Sequence, residues 1–379
     1  MSEVVLDPER QKKAKAYARI NRRLMLVDML LGAAYTLAWL SFGWSAWLEQ
    51  FLNTFTQNEW LLIAVYITIF GGVLYLIDLP LSYYSGYTLP HRYGLSHQTL
   101  PGWVGDQMKT ALLGGILGIF VLEIIYAVLR AFPDTWWLWA AGFILLFNIL
   151  LTNLAPQLIF PIFNKYEPLS ENHADLVDRL MNLAVRAKTS VRGVYQFDMS
   201  RRTSQANAAL AGLGNTRRIL LGDTLISEFS DDEIETVMAH ELGHHAHRDL
   251  PIGILVESAL TLVGFYLAGV GLERGAEALN FQGPADIAAF PLLIVVMGVF
   301  GLITMPLINA FSRWRERRAD EYALRLTDKN TAFATALTRL ANQNLADADP
   351  EAWVEFLFYS HPALSKRIRM AETWQSSGD

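Results

Sequence analysis

Six apolar runs decide which class of fold is open to this chain of 379 residues. They cover about Leu24–Trp47, Trp60–Ile77, Leu112–Leu129, Trp136–Leu154, Ile252–Leu272 and Ile287–Ile308. A helix that crosses a bilayer takes about 20 apolar residues, and each run is close to that length. Inside hydrocarbon the backbone must satisfy its own hydrogen bonds, so runs of this kind become helices. The apolar share of 52% and a mean hydropathy of +0.23 are higher than a water-soluble chain of this size carries. The expectation is a mainly α membrane protein with about six transmembrane helices.

Charge orients these spans. Arg10 to Arg23 holds seven basic residues and no acid, and Arg313, Arg315, Arg317 and Arg318 follow the sixth run. The first loop on the other side carries Glu49 and Glu59 without Lys or Arg, and the last carries Glu273, Glu277 and Asp286. An even number of crossings under the positive-inside rule places both termini in the cytosol, with the polar stretch from about 156 to 250 beside them. The first apolar run is too long for a cleavable signal, and no small-residue cleavage site follows it. Two parts are expected: residues 1–155 with four spans, and residues 156–379 with the polar domain, two further spans and a tail. Asp28, Asp78, Glu123, Asn148 and Glu257 interrupt the runs. Asp28 and Asp78 suit interfacial snorkelling near span ends, whereas Glu123 and Glu257 either face a water-filled cavity or snorkel. A net charge of −6 does not suggest a nucleic-acid partner. The absence of cysteine excludes disulfides and thiol catalysis, and leaves metal binding to His and carboxylates.

The polar domain ends in S-D-D-E-I-E-T-V-M-A-H-E-L-G-H-H-A-H-R-D, residues 230–249. Ser230 and Glu233 have capping-box spacing, Phe229 and Ile234 that of a hydrophobic staple, and Asp231 and Asp232 suit a helix N-terminus. Pro251 marks the expected stop. Within the helix, His240 and His244 lie four apart and share a face. Two imidazoles so placed can hold one Zn²⁺, and Glu241 can reach its water. Four of the eight histidines fall within residues 240–247, which makes a chance cluster the weaker explanation. His245 points off that face to the surface; His247 is near it, as a helper of the site or as part of a polar helix end.

Upstream, Ala174 to Ala187 has helical periodicity, and Val191–Phe197 and Arg218–Leu221 read as strands. Ala211 to Asn215 reads as a turn. The strand just before the zinc helix is either an ordinary sheet member or an edge that pairs with an extended substrate. A catalytic zinc takes a third protein ligand. Glu316 and Asp320 lie four apart on a helix-compatible stretch after the sixth run. Either one ligates while the other orients a ligand histidine, or both belong to a solvated helix with Glu–Arg pairs.

The chain resembles the type I CaaX prenyl endopeptidases, integral-membrane zinc proteases, and among them the bacterial relatives. The resemblance is carried by His91-Arg92-Tyr93-Gly94-Leu95-Ser96 with Gln98-Thr99, by Pro156 to Leu169, and by Asn207-Ala208 followed by Arg218-Ile219 and Asp223-Thr224-Leu225. H-E-L-G-H, then Asn309, Ser312-Arg313, Glu316 and Ala319-Asp320, and finally Ser360-His361-Pro362 with Leu364 and Arg367, complete it. It implies six helices enclosing a chamber, capped by a gluzincin-like α+β zinc metalloprotease domain. By the same resemblance Glu316 is the third ligand, and Asp320 orients a zinc-bound histidine. His361 and Arg367 lie near the zinc and help hold the tetrahedral intermediate or the substrate, and Asn207 holds the substrate backbone. There are two departures from the family pattern. Ala209 stands where a tyrosine is common, and eukaryotic members have an extra span near the N-terminus.

The implied activity is hydrolysis of peptide bonds by a metal-activated water, with one Zn²⁺ per chain and Glu241 as general base. The substrate is a peptide or protein, a prenylated C-terminal motif in the eukaryotic members and left open for a bacterial one, and the setting is the lipid bilayer of a bacterial inner membrane. Two other functions fit the same residues: a quality-control metalloprotease for misfolded membrane proteins, and a transporter or channel whose zinc is structural.

Overall fold

The computed structural model describes residues 4–169, 171–212 and 217–375. The chain begins with α1 (Pro8–Ser41), capped by the Asp7 side chain, which accepts from the backbone N–H groups of Glu9 and Arg10. Gly43, left-handed at φ 68°, breaks the first apolar run, so its last residues form a separate short helix, α2 (Trp44–Asn53). Next come α3 (Glu59–Tyr83), a π-helical turn at Tyr84–Thr88 and α4 (Leu89–Arg92). The chain after the second apolar run is thus helical as far as Arg92. Then follow α5 (Leu100–Ala131), α6 (Trp136–Leu158) and the single turn α7 (Phe160–Phe163).

The polar domain contains β1 (Tyr166–Pro168), α8 (Ala174–Arg186), β2 (Val194–Phe197), β3 (Ala208–Ala211), β4 (Arg218–Gly222) and α9 (Asp223–Glu228). The zinc-motif helix is α10 (Asp231–Ala246), with both halves of the Ser230–Glu233 capping box formed. The chain then returns to the membrane through α11 (Asp249–Ala278) and α12 (Phe290–Thr327). It ends with α13 (Asn330–Gln343), α14 (Ala352–Phe358) and α15 (Leu364–Glu372). Pro251 does not stop the zinc helix. The break is the left-handed Arg248, and Pro251 sits in the first turn of α11, where a missing N–H costs nothing.

Among the described residues, six helices are long and apolar enough to cross a membrane: α1, α3 with its continuation through α4, α5, α6, α11 and α12. Their packing closes a ring, α1 on α3, α3 on α5, α5 on α6, α6 on α11, α11 on α12, and α12 back on α1. Six axes about 8–10 Å from their neighbours leave a centre wide enough for a further helix. One end of the ring is sealed. Tyr35, Trp39, Tyr66, Phe70, Tyr126, Trp136, Phe265 and Phe290 pack there in one core, with Leu48 and Leu52 of α2 laid across it. Ser45 bonds Tyr66 Oη at 2.6 Å and donates to the Ala288 carbonyl at 2.5 Å. The other halves of the spans are bare. Among the described residues, α1 has no buried side chain between Ala14 and Tyr35, α3 none after Phe70, and α5 none between Trp103 and Glu123. The ring is therefore hollow toward the polar domain. Glu123, 8% exposed, is buried at the depth of Ile125 and Tyr126, and its Oε2 makes no hydrogen bond. Glu257 lines a cavity of about 200 Å³ with Asn148 and Arg315.

The sheet order is β1-β2-β4-β3, with β2 and β4 parallel and the outer pairs antiparallel. The strand before the zinc helix, β4, is paired on both sides and offers no edge. The edges belong to β1 and to β3, and β3 starts at Ala208. Of the expected turn at Ala211 to Asn215, Leu213, Gly214 and Asn215 lie outside the described residues.

The α10–α12 contact is the tightest that bears on the motif. A Cβ added at Gly243 would lie 3.0 Å from Ala319 Cα and 3.1 Å from its carbonyl oxygen. Gly243→Ala should force these backbones apart. A loss of about 1–3 kcal/mol of stability is expected from such overpacking, measurable as a lower midpoint of thermal unfolding in detergent together with reduced metal content.

Candidate metal centre

α10 presents His240 and His244 on one face, and α12 presents Glu316 and Asp320 across the Gly243–Ala319 contact. α12 is the sixth span carried on into the polar domain, so the carboxylates stand on the same rod as the ring wall. Ligand atoms of His240, His244 and Glu316 lie within 4.8 Å of one another. His240 Nε2 is 3.2 Å from His244 Nε2 and 3.2 Å from Glu316 Oε2, and His244 Nε2 is 3.3 Å from Glu316 Oε1. A tetrahedral zinc with bonds of about 2.0–2.1 Å holds neighbouring ligand atoms about 3.3 Å apart. Glu316 Oε2 is buried and makes no hydrogen bond. The donor set, two imidazole nitrogens and one carboxylate converging on one point, fits a divalent metal.

Each imidazole is gripped from behind. Asp320, 0% exposed, approaches His240 Nδ1 with Oδ1 at 2.7 Å. Arg367 of α15 donates to Asp320 from Nε at 2.8 Å and from Nη2 at 2.6 Å. Asp249 approaches His244 Nδ1 with Oδ2 at 2.8 Å. Sequence reasoning missed Asp249, since its only signal is a carboxylate just past the motif. His247 caps α10 and lies against Arg318, 3.0 Å from Nδ1, away from the ligand atoms.

His361 reaches the centre from the last loop, with Nε2 3.4 Å from Glu316 Oε1 and Nδ1 2.9 Å from Ser360 Oγ. That loop is pinned to α12. Arg313 donates to the carbonyls of Glu355 and Tyr359 at 2.9 and 2.6 Å, and Asn309 to that of Leu357 at 2.6 Å. Asn207, at the head of the edge strand, lines a cavity of about 150 Å³ with His240, Glu241, His361 and Arg367. All eight residues expected at the site therefore gather around one point.

Burial works against a charged His240, yet its contacts with Asp320 and Glu316 prevail and push its pKa up to about 9. Burial raises the Glu241 carboxyl, while His240 and His244 pull it down. Burial lowers the His361 imidazole, opposed by Glu316.

Residues 2–165 match the CAAX prenyl protease N-terminal family, described as having five membrane helices, of which this chain has four long ones there. Residues 170–375 match peptidase family M48. The chain belongs to peptidase family M48. It is similar to CAAX prenyl protease 1 of Saccharomyces cerevisiae, 30% identical over 77% of this chain and 68% of that protein. The Arabidopsis thaliana homologue is 30% identical over 96% of this chain and 88% of its own length. An uncharacterised metalloprotease of Bacillus subtilis is 27% identical over 97% of this chain and 86% of that one. The crystal structure of S. mikatae Ste24p shares the fold, with a TM-score of 0.86 at 24% identity over 97% of this chain and 90% of that one. The chain is thus a multi-pass membrane metalloendopeptidase of the M48 family, with the Ste24p-like fold.

A metal must displace the proton from each imidazole it binds. With His240 titrating near 9, metal affinity should rise between pH 6.5 and about 9 and level off above. The slope expected is about tenfold per pH unit for each proton displaced. Chelator competition across that range reads it, and a flat response would contradict the ligand assignment.

Proposed function

We propose that His240, His244 and Glu316 hold one Zn²⁺ and that the chain cleaves peptides which reach this centre from the hollow of the ring. The observation that carries this reading is the position of the centre, over the open end of a ring sealed at its far end. Bound there, zinc would supply a Lewis acid that acidifies a water and polarises the scissile carbonyl.

The chain's own residues do the rest. Glu241, one position past His240 and lining the same cavity, takes the proton of the attacking water and returns it to the leaving amine. A carboxyl raised by burial suits that exchange near neutral pH. His361 donates a hydrogen bond to the oxygen on which charge develops. Asp320 holds the His240 ring in one tautomer and Arg367 holds Asp320. Through the same cavity Arg367 also faces the substrate. The substrate backbone lies along Asn207 and the free edge of β3, which extends the sheet. Residues 1–155 form the wall of the hollow and residues 156–379 the peptidase, with spans α11 and α12 closing the ring. The basic ends of α1 and α12 lie on the peptidase side, which supports a cytosolic centre at an inner membrane.

The relatives named CAAX prenyl protease point to a lipidated C-terminal peptide as substrate, and a hollow between lipid and catalytic centre suits such a chain. Glu241→Gln should keep its zinc and lose about 10²–10⁴-fold in the rate of peptide cleavage; unchanged cleavage would remove Glu241 from the mechanism. Purified chain should hydrolyse a farnesylated CaaX peptide and stop when a zinc chelator is added. Cleavage confined to casein or to misfolded membrane proteins would assign it to quality control. Solute flux without any cleavage would assign it to transport.

A further inference from the structure

The second grip on the centre has no counterpart in the site residues described for the motif. α10 ends at Ala246, and the left-handed Arg248, φ 55°, turns the chain so that Asp249 opens α11 directly beneath the last turn of α10. The Asp249 side chain is 1% exposed. Its Oδ2 lies 2.8 Å from His244 Nδ1, while the other ring nitrogen, Nε2, faces His240 and Glu316. His244 therefore stands between Asp249 and the metal centre, just as His240 stands between Asp320 and that centre.

A carboxylate in the first turn of a helix favours the helix dipole by itself. That role is served at the exposed rim and gives no reason to bury the group. Burying a carboxylate is costly without partners. Asp249 has two: the His244 ring, and Arg315 of α12, whose Nε lies 3.7 Å from the same Oδ2. Its second oxygen, Oδ1, makes no hydrogen bond, and the residue lines a cavity with Asn148, Glu257 and Arg315. The only ring nitrogen that Asp249 can hold is the one turned away from Glu316.

We propose that Asp249 is a positioning residue for the metal. It accepts from His244 Nδ1–H, so it fixes the tautomer and the plane of the ring and makes Nε2 a stronger donor to a cation. Because Asp249 opens a ring-wall helix and Arg315 lies on another, the grip ties His244 to α11 and α12 at once. The proposal rests on the zinc reading of His240, His244 and Glu316.

The test uses full-length protein in detergent, with Asp249→Ala and Asp249→Asn beside the unchanged chain. Three quantities are measured: zinc affinity by competition with a chromogenic chelator, the visible spectrum of the cobalt-substituted protein, and thermal unfolding of the metal-free protein. Removing a carboxylate behind a ligand histidine costs about 10–100-fold in metal affinity, and that loss is expected for Asp249→Ala. Asp249→Asn retains an oxygen that can accept from Nδ1–H, so it should lose less. It also carries the test if the alanine variant does not fold. The cobalt spectrum should shift in the variants, because the field of the His244 nitrogen changes. If Asp249 serves only α11, the variants lower the unfolding midpoint of the metal-free protein and leave zinc affinity and the cobalt spectrum unchanged; that result overturns the proposal. Failure of the underlying zinc reading would look different, since the unchanged chain would then bind no zinc.

Discussion

The close approach of α10 to α12 governs the rest of the molecule. His240 and His244 belong to a helix buried in the polar domain's core through Ile234, Met238, Ala239 and Leu242, whereas Glu316 and Asp320 belong to a rod anchored in the membrane ring. Only a residue without a side chain at position 243, facing the small Ala319, lets the two backbones come near enough for three ligand atoms to lie within 4.8 Å. The Gly in H-E-L-G-H is thus a packing requirement. Everything behind the ligands follows from the same contact: Asp320 reaches His240 because it is one turn beyond Glu316, and Arg367 reaches Asp320 because α15 packs on α12.

The ring explains a second set of facts. A bundle of six apolar helices in lipid has no strong hydrophobic drive to pack its interior, because lipid is as apolar as the side chains. Specific packing must then come from aromatic interlock and buried hydrogen bonds, and these are concentrated at one end. Tyr35 donates to the Phe70 carbonyl at 2.6 Å, and Phe70 and Phe290 meet edge-on with centroids 5.4 Å apart. The opposite end is held by the peptidase instead. Arg202 reaches from the polar domain to Asp106 of α5 at 3.1 Å, and His91 ties its own loop to the Gln98 carbonyl at 2.9 Å. Between the two closures no buried core is required, and the helices stay apart.

Legibility in the sequence tracks the range of the interaction involved. The capping box, the His240–His244 spacing and the six spans are local patterns, so they could be read directly. The break at Gly43 was hidden because the apolar run continues across it; only a backbone angle separates α1 from α2. Arg248 ends the zinc helix although Pro251 is the louder signal, since proline is welcome in a first turn. The order of the sheet depends on β2 pairing in parallel with β4, which no spacing reveals, so the sequence left open whether β4 was an edge or an ordinary sheet member. Glu316 lies 72 positions beyond His244, and from the residues alone it was one of two candidate carboxylates. Its place became clear only when α12 proved to run unbroken from the sixth span into the polar domain. Asp249 had no pattern to declare it, because a turn of two residues brings it under His244.

The polar residues within the spans sort by where the ring is closed. A charged side chain facing hydrocarbon is expensive, so each needs protein or water beside it. Glu123 lies at the level of the packed seal, 8% exposed, with Oε2 buried and without a hydrogen bond. Glu257 lies two turns from the peptidase end of α11 and shares a cavity with Asn148, Ser258 and Arg315. That cavity also borders Asp249. Asn148, Thr152, Glu257, Ser258 and Thr261 thus set polar groups among Leu145, Ile149 and Ile254 between α6 and α11, in a cavity that begins at Asp249 behind His244.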